Sequence, residues 1–333
     1  MKNTANFNIV ARLAHPPWRL FWVCFFSFPL PGLAVAPAVK NYLYTGPVRL
    51  KNLAALIQRS EIQGVQVLYS WKMLETAPGA YDFSPIERDL RFLRRRHKKL
   101  FVQLQDRFFS RQARRLPAYL LRRPRYGGGL APEFARHGRR LVFRGWVAAQ
   151  WNPAVRRRFQ RLLAALARRF DGRVAGINLP ESSIEILAQR TPAGFSCGRY
   201  FRATEENIAF ARRVFRRSAV VQYVNFWPCG WSNHHRYMSR FFAFARRRGI
   251  GLGGPDVVPY LRGQMRNSYR FFHRYRGRLP LVAMAVQEPD LKYLNPKTRR
   301  PFTQSEFAHF AQNYLGARII FWTTQAPWWR PQH

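Results

Sequence analysis

The stretch from Val174 to Ser183, Val-Ala-Gly-Ile-Asn-Leu-Pro-Glu-Ser-Ser, combines a short apolar run with an acidic residue at its end. The run follows a turn at Asp171-Gly172 and is typical of a buried strand, which Pro180 ends because proline has no amide hydrogen to donate. Glu181 therefore lies at the carboxyl end of this strand, where an α/β barrel keeps its functional groups. A lone glutamate after a strand can equally well cap the next segment. The position of Glu181 alone therefore leaves both a functional role and a capping role open.

The rest of the chain alternates apolar strand patterns with amphipathic helix patterns. Strands are predicted at 64–71, 99–107, 174–179, 219–226, 251–257, 279–288 and 317–322, and the tyrosine-rich segment 40–48 is a doubtful eighth. This alternation implies βαβ units and a parallel sheet, so the fold class is α/β. Eight strands favour a single-domain (β/α)8 TIM barrel over 39–333. A doubly wound sheet is the alternative, although no glycine-rich dinucleotide fingerprint follows the first strand.

Residues near the boundaries of these elements predict where helices begin and where loops lie. Helices are predicted at 50–60, 204–216, 235–248 and 264–275, capping boxes are predicted at Ser84–Glu87 and Thr303–Glu306, and Asn152-Pro153 has the pattern of another helix start. The arginine-rich segment after the third strand contains Gly127-Gly128-Gly129, which we interpret as part of a long flexible loop.

The first 38 residues have the pattern of an export signal. A front region with basic residues precedes the apolar block Leu20–Ala36, and the small residues of Ala34–Ala38 follow, so cleavage is expected near Ala36 or Ala38. A secreted or periplasmic protein is the prediction, with an uncleaved membrane anchor as the alternative, and nothing after residue 40 resembles a membrane span. Cys197 and Cys229 would then remain, either paired or as free thiols.

The net charge of +41 comes from 57 basic residues, of which 49 are arginines. Dispersed runs such as Arg94–Arg96 are consistent with solvated helix faces or with an anionic partner such as an acidic polysaccharide, a membrane surface or nucleic acid. No RNA-binding signature or basic helix with heptads accompanies the charge, so no specific nucleic-acid partner is predicted. The adjacent pair His234-His235 is a weak metal signal, and neither a metal nor a cofactor is expected.

Only sixteen carboxylates occur in the chain, and four of them follow predicted strands: Asp106, Glu181, Asp256 and Glu288. In a barrel these four would converge on one face. Two carboxyl groups are what the cleavage of a glycosidic bond requires, one to protonate the leaving oxygen and one to attack or to activate water. Polar, aromatic and basic residues at or near strand ends complete the predicted sugar-binding set: Trp71, Lys72, Gln105, Asp106, Arg107, Gln222, Tyr223, Asn225, Asp256 and Trp322.

One segment resembles a known family. Trp71–Phe83 has a strand end in Trp, then Leu-Glu, Pro-Gly and Tyr-Asp-Phe, and is similar to an early barrel segment of the retaining (β/α)8 glycoside hydrolases of clan A, especially their β-galactosidase and xylanase branches. The resemblance implies that this segment shapes the sugar pocket, that Glu181 is the acid/base and that Glu288 is the nucleophile. Trp322 fits the family pattern, whereas Pro180 stands where members usually have asparagine.

Three functional hypotheses follow from these patterns. The first is an exported retaining glycoside hydrolase that acts on a polysaccharide or oligosaccharide. The second, motivated by Pro180, is a catalytically silent barrel that binds polysaccharide, and the third is a nonspecific polyanion binder. Because Lys72 and Arg107 follow the ends of the second and third strands, we also expect a preference for an anionic polysaccharide.

Overall fold

The computed structural model describes residues 38–187 and 190–329. The predicted export signal, 1–38, lies outside this range apart from Ala38, so its cleavage and the secreted or periplasmic location stay predictions. In the described part of the chain, no helix has both the length and the apolar content needed to cross a membrane.

Eight parallel strands close into a barrel: β1 (Lys40–Thr45), β2 (Ile62–Ser70), β3 (Lys99–Gln105), β4 (Gly176–Leu179), β5 (Ala219–Tyr223), β6 (Gly251–Gly254), β7 (Val282–Val286) and β8 (Ile319–Thr323). Each strand pairs with its neighbours in sequence. The pairing of β1 with β8, with Tyr42 opposite Phe321, closes the circle. The predicted (β/α)8 fold is confirmed, and the doubtful first strand is β1.

Helices connect successive strands: α1 (Ala54–Gln58), α2 (Ser84–Arg94), α3 (Pro153–Phe170), α4 (Cys197–Val214), α5 (Tyr237–Arg248), α6 (Arg270–Arg274) and α7 (Gln304–His309). A helical turn at Arg262–Gln264 and a π-helical segment at Met265–Tyr269 precede α6, and a second π-helical segment, Phe310–Tyr314, follows α7. The helix predicted at 204–216 begins seven residues earlier than expected, at Cys197, because Ser196 caps it by accepting the Arg199 amide.

All three predicted helix starts are confirmed, and side chains cap two of these helices. Asn152 accepts the Ala154 amide, and Thr303 forms a complete capping box with Glu306. The capping box predicted at Ser84 is wrong, since Phe83 occupies the cap position and no side chain caps the helix. Glu87 instead accepts hydrogen bonds from Arg169 and Arg173, so the basic end of α3 competes successfully for this carboxylate.

Side chains alternate between the two faces of the barrel wall, as the pleat of a strand requires. Those that point inward pack into a small cluster of Tyr42, Phe101, Val221, Tyr223, Ala283, Ala285, Ile319 and Phe321. Their neighbours in sequence pack outward in the layer between the barrel and the helices. This one-residue alternation decides which residue at each strand end faces the open mouth of the barrel.

The segment between β3 and α3 forms a three-stranded antiparallel sheet of Arg107–Phe108, Leu130–His137 and Arg140–Ala148, so the prediction of a long flexible loop here is wrong. Gly127, Gly128 and Gly129 have φ angles of 56°, 79° and 68°, a succession of left-handed conformations that only glycine adopts readily. At Gly145 a Cβ would lie 2.0 Å from the Phe108 carbonyl oxygen, so glycine is required for the strands to approach. We call this sheet the insertion.

Cys197 and Cys229 form a disulfide whose Cα atoms are 6.0 Å apart. It joins the start of α4 to the loop after β5. Of the two alternatives that the sequence leaves open, paired cysteines or free thiols, the structure has the pair.

Candidate active site

A cavity of about 440 Å³ opens at the carboxyl ends of the barrel strands. Its walls come from strand ends, from the loops after β4 to β7 and from the insertion. The residues that line it are Tyr44, Leu68, Gln103, Gln105, Arg107, Phe109, Arg144, Glu181, Ser183, Glu185, Tyr223, Asn225, Phe226, Pro255, Asp256, Gln287 and Pro289. Two of the four predicted strand-end carboxylates, Glu181 and Asp256, therefore share one cavity at the expected end of the barrel.

Glu181 is held in this cavity by donors from three elements. Arg107 Nη1 lies 3.4 Å from Glu181 Oε2 and also donates to Ser183 Oγ at 3.0 Å. Burial raises the pKa of Glu181, while the Arg107 charge and hydrogen bonds from Ser183 and Asn225 act in the opposite direction. Asn225 follows β5, so an amide lies beside Glu181 even though Pro180 replaces the asparagine that clan A members usually have before this glutamate.

The insertion supplies the group that orients Arg107. Glu133 is fully buried and accepts from Arg107 Nε at 2.8 Å and from the Glu185 amide at 2.7 Å. A register irregularity between Glu133 and Phe134 accompanies this contact, and the Phe134 amide donates to the Glu185 carbonyl. The insertion is thus docked against the loop after β4, and Arg107 is clamped between two carboxylates.

Asp256 follows β6 and lies half-buried in the cavity wall. Burial, followed by the negative charge of Glu181, raises the pKa of Asp256 to about 7. Asp290 lies behind it and accepts from the amides of Gln287 and Val257, at 2.8 and 3.2 Å, which ties the loops after β6 and β7 together. Burial and the Asp256 charge hold the pKa of Asp290 well above its usual range.

Two more predicted residues, Asp106 and Gln222, lie beside a smaller cavity of about 30 Å³ behind Glu181. Gln150 donates to Asp106 Oδ2 at 2.8 Å, and burial raises the pKa of Asp106 to about 6. Gln222 donates to the carbonyls of Pro180 and Tyr223. Gln222 thereby supports the loop that carries Glu181, and neither side chain lines the main cavity.

The structure does not bring Glu288 into the main cavity. Gln287 lines the cavity, and Glu288 lies beside it at the barrel mouth, where its negative charge adds to burial in raising the pKa of Tyr44, a residue that lines the cavity. Glu288 is half-buried and accepts from Thr323 Oγ1 at 2.5 Å. Of the four predicted strand-end carboxylates, Glu181 and Asp256 line the main cavity, Asp106 lies behind Glu181, and Glu288 lies beside the cavity at the end of β7.

Three predicted sugar contacts also lie elsewhere. Trp71 is buried between the barrel and α3, with its indole donating to Glu75 Oε2 at 2.7 Å, and Trp322 is buried on the outer face of β8, where it donates to Asn41. Lys72 is exposed and does not line the cavity. Trp71 and Lys72 belong to the helical turn Trp71–Leu74 that follows β2, and Trp322 follows the inward-pointing Phe321, so none of the three side chains faces the cavity.

Gln105, Arg107, Tyr223 and Asn225 do line the cavity, as expected. Asn225 Oδ1 and Gln103 Oε1 are buried there without a hydrogen-bond partner among the described residues. Buried polar atoms are rarely left unsatisfied, so both oxygens are available to a hydroxyl group of a ligand or to water.

Several cavity residues were not predicted from the sequence, above all Phe109, Arg144, Glu185 and Gln287. Phe109 is 63% exposed at the cavity mouth, with the Arg107 guanidinium over its ring at 4.7 Å. Arg144 reaches in from the insertion, with its Nε 3.6 Å from Glu185 Oε2. The sequence marks Phe109 only by its position two residues after Arg107. Arg144 lies in the insertion, whose composition predicts a loop.

Comparisons with known proteins agree with this architecture. No protein-family model matches the sequence, and no curated protein is similar to it in sequence. Among solved structures, a thermostable mutant of a xylanase from Cellvibrio japonicus is similar with a TM-score of 0.50 and 12% identity, covering 86% of each chain. Endo-glycoceramidase II from Rhodococcus sp., as its lactosyl-enzyme intermediate, is similar with a TM-score of 0.53 and 14% identity, covering 88% of this chain and 74% of the other. The chain therefore has the (β/α)8-barrel fold that these two enzymes also have.

Proposed function

We propose that the protein is an exported glycoside hydrolase that cleaves O-glycosidic bonds of an oligosaccharide or polysaccharide with retention, and that Glu181 supplies one of its two catalytic carboxyl groups. The observation that carries the proposal is the pair of carboxyl groups, Glu181 and Asp256, in one cavity at the carboxyl ends of the barrel strands. Two carboxyl groups in such a cleft are the requirement of glycoside hydrolysis. The fold shared with a xylanase and an endo-glycoceramidase supports this choice of chemistry.

The cavity also offers the contacts that a sugar ring needs. The free oxygens of Asn225 and Gln103 can accept hydrogen bonds from hydroxyl groups, and Gln105 adds a polar amide to the wall. Phe109 presents an exposed ring on which one face of a pyranose can stack. A few polar groups in a largely pre-formed cavity are typical of small-molecule sites.

We also propose that the substrate is anionic, but residues other than Lys72 and Arg107 support this. Lys72 does not line the cavity, and the Arg107 guanidinium is already engaged by Glu133, Glu181 and Ser183. Arg144, whose side chain is 54% exposed, is the cavity residue best placed to meet an acidic substituent.

The direct test is a screen of the full-length protein for reducing-sugar release. The panel contains xylan, lactosyl glycosides, aryl glycosides of common neutral sugars in both anomeric forms, and neutral and acidic versions of one polysaccharide backbone at low and high salt. Release that is lost in a Glu181→Gln variant supports the proposal. Retention on a polysaccharide without any release favours the alternative, a catalytically silent barrel that binds polysaccharide, for which Pro180 is the motivating observation.

We expect Phe109→Ala to raise KM about 3- to 10-fold on the substrate that the screen identifies, because a sugar–aromatic stacking contact worth about 1 kcal/mol is lost. The turnover number should change little, since a phenyl ring takes no part in proton transfer or nucleophilic attack. Tyr293→Ala is the matched control, because Tyr293 is 43% exposed but does not line the cavity. Steady-state kinetics that show the same KM for wild type and Phe109→Ala would exclude this contact.

A further inference from the structure

A second cavity, of about 470 Å³, is walled by the loop after β6, the loop after β7 and α7. The same two loops wall the main cavity, through Asp256 and Pro289. Pro259, which lines the second cavity, is three residues after Asp256, so at most about 11 Å separates their Cα atoms. The two cavities are therefore neighbours on the face of the barrel where the strands end, within reach of one chain-like ligand.

Tyr260 offers an exposed ring in the second cavity. Its side chain is 43% exposed and its φ angle is 64°, a left-handed conformation that is costly for an aromatic residue. The Tyr269 hydroxyl holds this loop, because it accepts from the Val258 amide at 2.9 Å and donates to the Asp256 carbonyl at 3.1 Å. The Phe310 ring packs edge-on against Tyr260. Backbone strain of this kind concentrates at ligand-binding sites, so the fixed ring is a candidate ligand platform.

Lys297 supplies a positive charge beside this ring. Its ammonium group lies 5.2 Å from the centroid of the Tyr260 ring, and no carboxylate in the described part of the chain forms an ion pair with it. Because the ammonium lacks a carboxylate partner and lines the cavity, it is available to an anionic group of a ligand.

The loop that carries Lys297 is fixed by Asn295, a buried side chain. Asn295 Oδ1 accepts from the Lys297 amide at 2.9 Å, and its Nδ2 donates to Glu306 Oε1 at 2.7 Å. Glu306 Oε2 accepts from the Thr303 amide at 2.8 Å, so both oxygens of this carboxylate have donors within the protein. The cavity thus presents Tyr260 and Lys297 from two anchored loops.

We propose that the second cavity binds an acidic sugar unit of a polysaccharide whose chain also passes through the main cavity. The pyranose ring stacks on Tyr260, its carboxylate meets the Lys297 ammonium, and the hydroxyls of Thr298 and Ser305, which line the cavity, contact the sugar hydroxyls. The choice of a carbohydrate rests on the proposed function, since the same loops wall the cavity in which the glycosidic bond would be cleaved. Binding at the second cavity requires no turnover.

The test measures the binding of the full-length protein to two immobilised uronate polymers, polygalacturonate and alginate, and to the neutral, methyl-esterified form of polygalacturonate. Salt is kept at about 0.15 M to screen long-range attraction by the net charge. We expect Tyr260→Ala to weaken binding to at least one uronate polymer about 3- to 10-fold, and Tyr260→Phe, which keeps the ring, to bind like the wild type. Lys297→Ala should weaken the same binding about 3- to 5-fold and leave binding to the neutral polymer unchanged.

The loop after β7 provides two matched controls. Tyr293 is also 43% exposed and Lys292 is also exposed, and neither lines the second cavity. Tyr293→Ala and Lys292→Ala should therefore bind like the wild type. Equal losses in Lys292→Ala and Lys297→Ala would show attraction by overall charge alone and would overturn the inference, as would wild-type binding by Tyr260→Ala. Tighter, Tyr260-dependent binding of single-stranded DNA would also overturn it, because the ring would then stack on nucleotide bases.

A kinetic measurement separates this inference from the proposed function. An aryl glycoside of a single sugar fills only the main cavity, so Tyr260→Ala should leave its KM unchanged and raise the KM of the acidic polysaccharide about 3- to 10-fold. If the protein hydrolyses no glycoside but the binding losses are found, the second cavity stands as a polysaccharide site and the proposed hydrolysis falls. If hydrolysis is found and the Tyr260 and Lys297 variants bind like the wild type, the proposed function stands and the inference falls.

Discussion

Glu181→Gln should reduce turnover by at least about 1,000-fold on a glycoside with a poor leaving group, because the amide can neither protonate the leaving oxygen nor activate water. Glutamine has nearly the same shape as glutamate and can still contact Arg107 and Ser183, so the fold should be preserved. The measurement is steady-state turnover on the panel substrate, with near-identical circular dichroism as the check on folding.

The matched control is Glu206→Gln. Glu206 is on the surface of α4, where it pairs with Arg156 and its side chain is 53% exposed. Its loss should leave turnover unchanged. Equal activity of wild type and Glu181→Gln on a substrate that the wild type hydrolyses would remove Glu181 from the mechanism.

Glu133→Gln should lower the free energy of unfolding by about 3–5 kcal/mol, because it leaves the buried Arg107 guanidinium without its fully buried counter-charge. The same change should lower the pKa of Glu181, since the negative charge of Glu133 raises that pKa and since Arg107 then acts on Glu181 alone. Urea denaturation measures the first effect. A shift to lower pH of the limb of the pH–activity profile that Glu181 controls measures the second effect.

The exposed pair Arg59–Glu61 provides the control for this loss. Its side chains are 42% and 38% exposed, and the two charges are therefore screened by water. Glu61→Gln should cost less than about 1 kcal/mol. If Glu61→Gln and Glu133→Gln destabilise the protein by the same amount, the buried Arg107–Glu133 pair contributes no more to the free energy of unfolding than an exposed pair.

The barrel itself was predictable because its signal is repeated along the chain. Each strand has an apolar run, each is followed by a helix pattern, and seven such units leave little room for another topology. The placement of Glu181 after β4 follows from the same regularity, since Pro180 ends the ladder directly before it.

The site was less predictable because a shift of one residue reverses the direction of a side chain. Trp322 and Trp71 are predicted at the mouth from their closeness to strand ends, yet alternation turns Trp322 outward and a helical turn buries Trp71 against the helix layer.

The insertion was missed for a different reason. Its strands contain many arginines and begin after a run of glycines, a composition typical of loops, and their pairing depends on contacts with Arg107 and Glu185 that are distant in sequence. Tertiary contacts therefore override the local pattern here. Arg144 and Phe109, which give the cavity its outer wall, became visible only in the folded protein.

The most direct test of the account is to trap the nucleophile. The full-length protein is incubated with the 2-deoxy-2-fluoro glycosyl fluoride of the sugar that it releases, and the labelled peptide is sequenced by mass spectrometry. The fluorine slows hydrolysis of the ester, so the sugar should remain attached to the enzyme. The account predicts a single adduct on one of the carboxylates at the barrel mouth, Glu181, Asp256 or Glu288, and loss of turnover in step with labelling; an adduct elsewhere on the chain, or turnover that persists without any adduct, would contradict it.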